Sequence, residues 1–338
     1  MSDFEAAWQW RQKLGLLNHS DALRVFHGPG EGVDDSQYFA IDKFSGKAGD
    51  KTGETFGDHY WVTQWESSNP SGASFSKAKL TAIQGRIVEF LKSKNATSVV
   101  AMIRPEKGLP SEPSVWYGNP PEGRFTVQEG EMLFWIQLQN SRHPGLFLDH
   151  FPLRKWLRQT SQGKRVLNTF AYTGSLSVAA GLGGAESVTT LDLSKPSVDW
   201  AIENFKLNKL ADSKHRAISG DVFEWLPRLK REKQIFDCII LDPPSFSHGK
   251  KQNFSTAKDL EKLHFLAIEL LARGGILITS INSANITWKK YEFDLLAASK
   301  RQKVEFKILK QIDLPESFPT RLGNSQDRYL KGWILQNG

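Results

Sequence analysis

The run Cys238-Ile239-Ile240-Leu241, followed at once by Asp242-Pro243-Pro244-Ser245-Phe246, restricts this chain more than any other stretch. Four apolar residues without alternation describe a strand covered on both faces, as in a parallel sheet. Proline fixes φ and offers no N–H, so two in succession end the strand and set a rigid, extended turn. Asp242 is therefore expected at the carboxyl end of a central strand, the edge at which open α/β sheets bind ligands. The turn would present the carbonyls of Pro243 and Pro244 and the ring of Phe246 above that edge. Asp242, Pro243, Pro244 and Phe246 form the candidate catalytic group.

From Arg165 onward, strands and helices alternate. Residues 165–170, 187–192, 216–219, 238–241 and 275–280 read as strands. Helices follow from Ser175, over 195–208, over 222–231, over 256–271 and over 289–300. Val304–Leu309 and Tyr329–Leu335 complete the sheet as an antiparallel pair. Repeated βα units predict an α/β, doubly wound sheet, mostly parallel with an antiparallel final strand and helices on both faces.

The preceding half has a different texture. Residues 4–17 carry apolar side chains at helical spacing. Short strand-like runs at 24–27, 38–42 and 60–64 are parted by Gly/Asp/Ser-rich turns. An amphipathic helix is expected over 77–92, with strands at 99–103, 125–127 and 132–138. Residues 105–121 read as a Pro/Gly-rich loop. Residues 147–157 read as a connecting helix. The expected division is an N-terminal helix (1–20), a small α+β domain for substrate recognition (21–144) and a Rossmann-like domain (145–338). The chain has 338 residues, one cysteine and a net charge of +7. Cys238 alone can form no internal disulfide or Cys-rich zinc site. The charge favours a polyanionic partner. No apolar run reaches membrane-spanning length and no signal pattern opens the sequence, so a cytoplasmic protein with no membrane partner is expected.

Three acids end or follow successive strands: Asp192, Asp221 and Asp242. Asp192 lies eighteen residues after Gly174, near the offset at which a carboxylate accepts from ribose hydroxyls. The first turn has one glycine, with neither a dinucleotide fingerprint nor a P-loop lysine. A small cationic cofactor without phosphates needs less backbone clearance, and S-adenosyl-L-methionine fits that description. Asp192 would then hold the ribose and Asp221 the adenine amino group, with Leu193 and Val222 flanking the ring. Helix N-capping is the alternative for Asp192 and Asp221.

Leu167-Asn168-Thr169-Phe170-Ala171-Tyr172-Thr173-Gly174-Ser175, Thr190-Leu191-Asp192-Leu193-Ser194-Lys195, Gly220-Asp221-Val222-Phe223 and Leu241-Asp242-Pro243-Pro244-Ser245-Phe246 resemble the class I S-adenosylmethionine-dependent 23S rRNA methyltransferases. That family includes a large-subunit cytosine-5 methyltransferase and a guanine-N7 methyltransferase. The likeness covers roughly residues 145–335 and extends more weakly over 22–140. It implies a class I methyltransferase fold, cofactor contacts from Asn168, Phe170, Tyr172, Thr173, Gly174, Asp192, Leu193, Ser194, Asp221, Val222 and Asp242, and an Asp149 contact to the cofactor's amino-acid end through Phe147-Leu148-Asp149.

The chain departs from the pattern in two places. Asn168 stands where the family usually has Asp. Thr279-Ser280-Ile281-Asn282-Ser283 stands where the cytosine-5 enzymes carry their nucleophilic cysteine, and resembles the guanine-N7 relative more. Cys238, inside a strand, is expected to be buried and inert. Direct transfer to a base nitrogen, which needs orientation but no covalent catalyst, is the expected reaction. Rival readings are methylation of tRNA, DNA or protein, 5-methylcytosine formation, or an RNA-binding ribosome assembly factor without turnover. Arg154, Lys250, Lys251, Lys289 and Lys290 are the candidate contacts to RNA, expected to be rRNA, with Trp288 as a stacking ring. The sequence does not set the oligomeric state.

Overall fold

A computed structural model describes residues 2–18, 21–47, 55–66, 77–105, 111–210, 213–248, 253–283, 286–322 and 329–338. Two compact units divide the chain. The first is Met1–Asp149 with Pro315–Asp327, and the second is His150–Leu314 with Arg328–Gly338.

The first unit opens with α1 (Asp3–Lys13), capped by Ser2, whose hydroxyl accepts from the Glu5 N–H. It continues through β1 (Ala22–His27), α2 (Gly28–Glu31), β2 (Phe39–Lys47), β3 (Thr55–Trp65), α3 (Lys77–Ser93), β4 (Ala96–Arg104), β5 (Ser114–Gly118), β6 (Phe125–Glu129) and β7 (Met132–Ile136). The sheet runs β5-β4-β3-β2-β6-β7, with β1 also on β2. Strands β3 and β4 are parallel, as a helical crossover requires, and α3 is that crossover. Phe4 and Ala7 of α1 and Ile83, Ile87 and Leu91 of α3 pack on Val25, Ile41, Tyr60, Val62 and Val99 of the strands. So α1 is built into this core and does not stand apart as a separate element. The expected loop over 105–121 contains β5, whose Val115, Trp116 and Tyr117 have high strand propensity.

Arg11 closes this unit. It is fully buried, with guanidinium nitrogens 2.7 and 2.8 Å from the two Glu31 carboxylate oxygens. It also donates to the carbonyls of Ala7, Arg24 and Ser317 at 3.0, 2.6 and 2.7 Å. A buried charge is tolerable only when paired and hydrogen-bonded in this way. Ser317 belongs to the Pro315–Asp327 segment, which the expected division at residue 144 did not include.

The second unit begins at α4 (Phe151–Thr160), preceded by the 3-10 turn Leu148–His150. It then alternates through β8 (Arg165–Thr169), α5 (Ser175–Leu182), β9 (Ser187–Asp192), α6 (Lys195–Leu207), β10 (His215–Ser219), α7 (Val222–Arg231) and β11 (Phe236–Leu241). A short hairpin, β12 (Phe246–His248) and β13 (Asn253–Ser255), leads to α8 (Thr256–Ile268), β14 (Leu271–Asn282), α9 (Trp288–Gln302), β15 (Phe306–Gln311) and β16 (Leu330–Asn337). The sheet order is β10-β9-β8-β11-β14-β16-β15. Its first five strands are parallel; β16 is antiparallel to both β14 and β15. The chain moves outward from β8 to β10 and then returns to place β11 on the other side of β8. That reversal is the topological switch point at which such sheets bind ligands, and Asp242 lies directly beyond the end of β11. Among the described residues, no helix is long and apolar enough to cross a membrane.

Candidate active site

The turn after β8 has unusual backbone geometry. Phe170, Tyr172 and Gly174 all have positive φ, at 52°, 50° and 75°. For the two aromatic residues this conformation costs about 1–2 kcal/mol each. The turn is held by its surroundings. The Tyr172 N–H donates to Asp192 Oδ2 at 2.8 Å, the Ala171 N–H to the Leu191 carbonyl at 3.2 Å, and Asn204 Nδ2 to the Thr173 carbonyl at 2.9 Å. A Cβ at Gly174 would come within 2.9 Å of Ala201, so close approach of α6 as well as φ demands glycine there.

Asp192 sits between that turn and α6. Its Oδ1 accepts from the Ser194 N–H at 2.8 Å. Burial pushes its carboxyl above the ordinary value, opposed by the two backbone N–H donors. The helix cap of α6 is Ser194, whose hydroxyl accepts from the Ser197 N–H at 3.3 Å, so Asp192 is not spent on capping. Each Asp192 oxygen keeps a lone pair, the arrangement that a ribose diol requires. The donors and acceptors present thus fit S-adenosylmethionine.

Asp221, by contrast, caps α7 through Oδ1, which accepts from the Phe223 N–H at 2.8 Å. Leu193 is half-buried, but Val222 is packed into the hydrophobic core beside Ile218, Leu226 and Ile239. The expected flanking of a ring by the Val222 side chain is therefore corrected. Asn168 is buried too; its Nδ2 donates to Ser177 Oγ at 2.9 Å, and Thr190 donates to the same oxygen at 2.8 Å. Ser177 of α5 thus joins Asn168 of β8 to Thr190 of β9. Asp149 lies in the 3-10 turn that ends at His150.

Asp242 has two partners that pattern reading missed. His150 Nε2 lies 2.9 Å from Oδ2, and Ser280 Oγ donates to Oδ1 at 2.6 Å. Burial pushes the Asp242 carboxyl up, but the charge and hydrogen bond of His150 and the bond from Ser280 outweigh it and hold the group below its ordinary value. The prolyl turn is pinned on its far side. Pro243 is buried, the Pro244 carbonyl accepts from the Thr256 hydroxyl at 2.7 Å, and Ser245 Oγ donates to the Asn282 carbonyl at 2.9 Å. The Pro244 carbonyl, expected to face a ligand, is thus engaged at the start of α8. The backbone of Phe246 opens β12; its side chain lies outside the described structure.

Cys238 is 1% exposed within β11, and burial pushes its thiol up to about 12. It carries no thiolate at neutral pH. Among the expected RNA contacts, Arg154 is corrected. It is fully buried on the face of α4 that also carries Leu153 and Leu157, out of reach of a phosphate. Trp288 packs edge-on to Trp333, with ring centroids 4.9 Å apart, and is not a free stacking surface. Lys290 is paired with Asp294, whereas Lys289 is exposed. Lys250 and Lys251 lie outside the described residues. No group of His, Cys, Asp and Glu among the described residues is arranged to hold a metal ion.

Comparison with known proteins places this geometry. A family model described as S-adenosylmethionine-dependent methyltransferase matches residues 92–325. YwbD of Bacillus subtilis, which carries the name of a ribosomal RNA large subunit methyltransferase, is 32% identical over 340 residues, covering 99% of this chain and 80% of that protein. Ribosomal RNA large subunit methyltransferase K of Neisseria meningitidis is 44% identical over 160 residues, which is 47% of this chain and 45% of that protein. The crystal structure of SMU.776 complexed with SAH superposes with a TM-score of 0.82 at 26% identity, covering 99% of this chain and 82% of that one. With the family model spanning most of the sequence and YwbD aligned along nearly all of it, the chain belongs to the S-adenosylmethionine-dependent methyltransferases and uses S-adenosylmethionine as its cofactor.

Proposed function

We propose that this enzyme methylates a nitrogen of a purine base in large-subunit ribosomal RNA, in the cytoplasm, by direct transfer. The names of YwbD and of methyltransferase K support the RNA substrate, as does the net charge of +7. The observation that carries direct transfer is the burial of the sole cysteine inside β11, which leaves no sulfur nucleophile for a covalent route. When bound, S-adenosylmethionine supplies an electrophilic methyl group.

The chain's own residues then bind and orient. Asp192 and the Phe170–Gly174 turn hold the nucleoside end, Ser194 and Leu193 border it, and Asp149 takes the amino-acid end. Asp242 faces the acceptor base. Its carboxylate accepts from a base N–H and stabilises the positive charge that grows on the attacked nitrogen. The first unit serves RNA recognition. Lys79, Arg86 and Lys92 of α3 and Lys94 just beyond it each pair with a carboxylate, those of Asp35, Asp3, Glu89 and Glu5.

Asp242→Asn keeps the shape and removes the charge. Turnover should fall by a factor on the order of a hundred, with cofactor affinity little changed. A mutant that binds cofactor poorly but turns over normally when saturated would move Asp242 to the cofactor side. Mass spectrometry of rRNA nucleosides from a deletion strain names the base. Loss of a 5-methylcytosine there, with a protein adduct on 5-fluorocytidine RNA, would overturn direct transfer to nitrogen.

A further inference from the structure

The two donors on Asp242 come from separate elements. His150 ends the 3-10 turn before α4; Ser280 lies on β14, the strand next to β11. Both are buried, whereas the Asp242 side chain is 26% exposed. One lone pair on each carboxylate oxygen is therefore occupied from the protein side, and the others remain for a ligand. The terminal torsion of an aspartate is soft and roughly two-fold. Two donors at 2.6 and 2.9 Å remove that freedom.

Ser280 is itself fixed. Its neighbour Thr279 accepts from the Tyr291 hydroxyl at 2.9 Å and lies 2.9 Å from His264 Nε2, so α9 and α8 both anchor β14 at this level. Opposite Ser280 on β16 stands Gly332, where a Cβ would come within 3.0 Å of the serine Cβ and 2.6 Å of the Thr279 carbonyl. The strand pair has room for the serine only because that position is glycine.

We infer that His150 and Ser280 are positioning residues, which clamp the Asp242 carboxylate in one plane and thereby aim its outward lone pairs at the acceptor base. The inference rests on the reading of Asp242 as the base-facing group. Electrostatic stabilisation of a transition state depends on donors and acceptors that need no reorganisation as charge develops. A carboxylate free to swing would still bind the base but would have to be reoriented in every turnover. The cost should accordingly appear in kcat and not in the affinity for RNA or cofactor.

The clamp also leaves a signature in pH. Among the described residues, the ionisable groups facing Asp242 are His150 and, from α9, Tyr291, whose hydroxyl is pushed up mainly by burial and also by the Asp242 charge. Remove His150, and the effects that lower the Asp242 carboxyl diminish while burial, which raises it, remains. The carboxylate is then lost at a higher pH on acidification. The acid limb of kcat moves upward.

The test compares His150→Gln, His150→Leu, Ser280→Ala and Asp242→Asn in the full chain on unmodified rRNA. It measures kcat, KM for RNA, Kd for S-adenosylmethionine, the pH profile and the unfolding midpoint. A glutamine amide reaches the position of a histidine Nε2 and donates without charge. Expected are a fall in kcat on the order of ten- to a hundredfold for His150→Leu and Ser280→Ala, as for other partners that orient a reacting group. KM and Kd should hold, the acid limb should move upward in His150→Leu, and His150→Gln should recover most of the turnover. If Asp242→Asn is impaired but His150→Leu and Ser280→Ala turn over like the parent, positioning is refuted. Equal impairment of His150→Gln and His150→Leu refutes it as well. If Asp242→Asn is itself unimpaired, it is the reading of Asp242 that fails. Should His150→Leu not fold, His150→Gln and Ser280→Ala decide: parent-like kcat in Ser280→Ala overturns the clamp, and reduced kcat at parent-like KM with recovery in His150→Gln supports it.

Discussion

Replacing Asp192 by Asn tests how one carboxylate serves both fold and cofactor. Its oxygens accept the Tyr172 and Ser194 N–H groups, each at 2.8 Å. An amide has one acceptor oxygen, so in either orientation its NH2 faces a backbone N–H. One charge-assisted hydrogen bond, about 1.5–3 kcal/mol, is lost. The lost bond is the one that restrains either the positive-φ turn or the start of α6. The cofactor-free mutant should unfold at lower urea concentration with an unchanged m-value, as expected when stability alone changes. The ribose hydroxyls lose a charged acceptor as well, so affinity for S-adenosylmethionine by calorimetry should drop roughly tenfold to a hundredfold. A folded mutant with parental midpoint and affinity would refute both roles. A lowered midpoint with parental affinity would leave Asp192 a structural residue and remove it from the ribose.

Cys238→Ala should leave methylation chemistry intact and lower stability by about 1 kcal/mol through a small cavity, measured by turnover and urea unfolding on the same sample; abolished turnover in a folded mutant would revive a covalent role. Lys289→Ala should reduce the slope of log affinity for RNA against log salt by about one, whereas Lys290→Ala, whose ammonium is already paired with Asp294, should change it much less. Equal slopes in both mutants would assign Lys289 to solvated surface. Because burial raises the Asp192 carboxyl, affinity for S-adenosylmethionine should begin to fall on acidification at a pH above the ordinary aspartate range; titration calorimetry across that range checks the direction.

The parallel sheet was legible from the apolar runs of β11 and of the second half of β14, closed by an acid or a turn residue, and from the regular alternation of strands with helices; β10, His215–Ser219, is largely polar. For β9 the expected bounds, Ser187 to Asp192, are those observed. Strand β5 was hidden because its five residues are flanked by prolines, whose signal dominates the window. Arg154 looked like a surface cation by residue type, but it lies three residues before Leu157 on the buried face of α4, and helical spacing alone could have placed it. His150 and Ser280 left no such trace. They reach Asp242 across 92 and 38 positions of sequence, and only the fold brings donor and carboxylate together. Val222 stands at the start of α7, and a motif fixes which residues stand near a site while the helix face decides which of them turn into the core.

The socket of Arg11 sets a schedule for synthesis. The Glu31 partner is made 20 residues after the arginine, but the Ser317 carbonyl arrives only 306 residues later. At a translation rate of about 5–20 residues per second, that interval is on the order of 15–60 s. For most of it the nascent first unit has its charge pair but lacks the last acceptor on the guanidinium. The second unit waits as well, because β16, inserted between β14 and β15, follows the same segment. The first unit gains its last segment only shortly before the second gains β16, and a chain stopped after β15 would leave both incomplete, which makes such a fragment a natural client for chaperones and proteases.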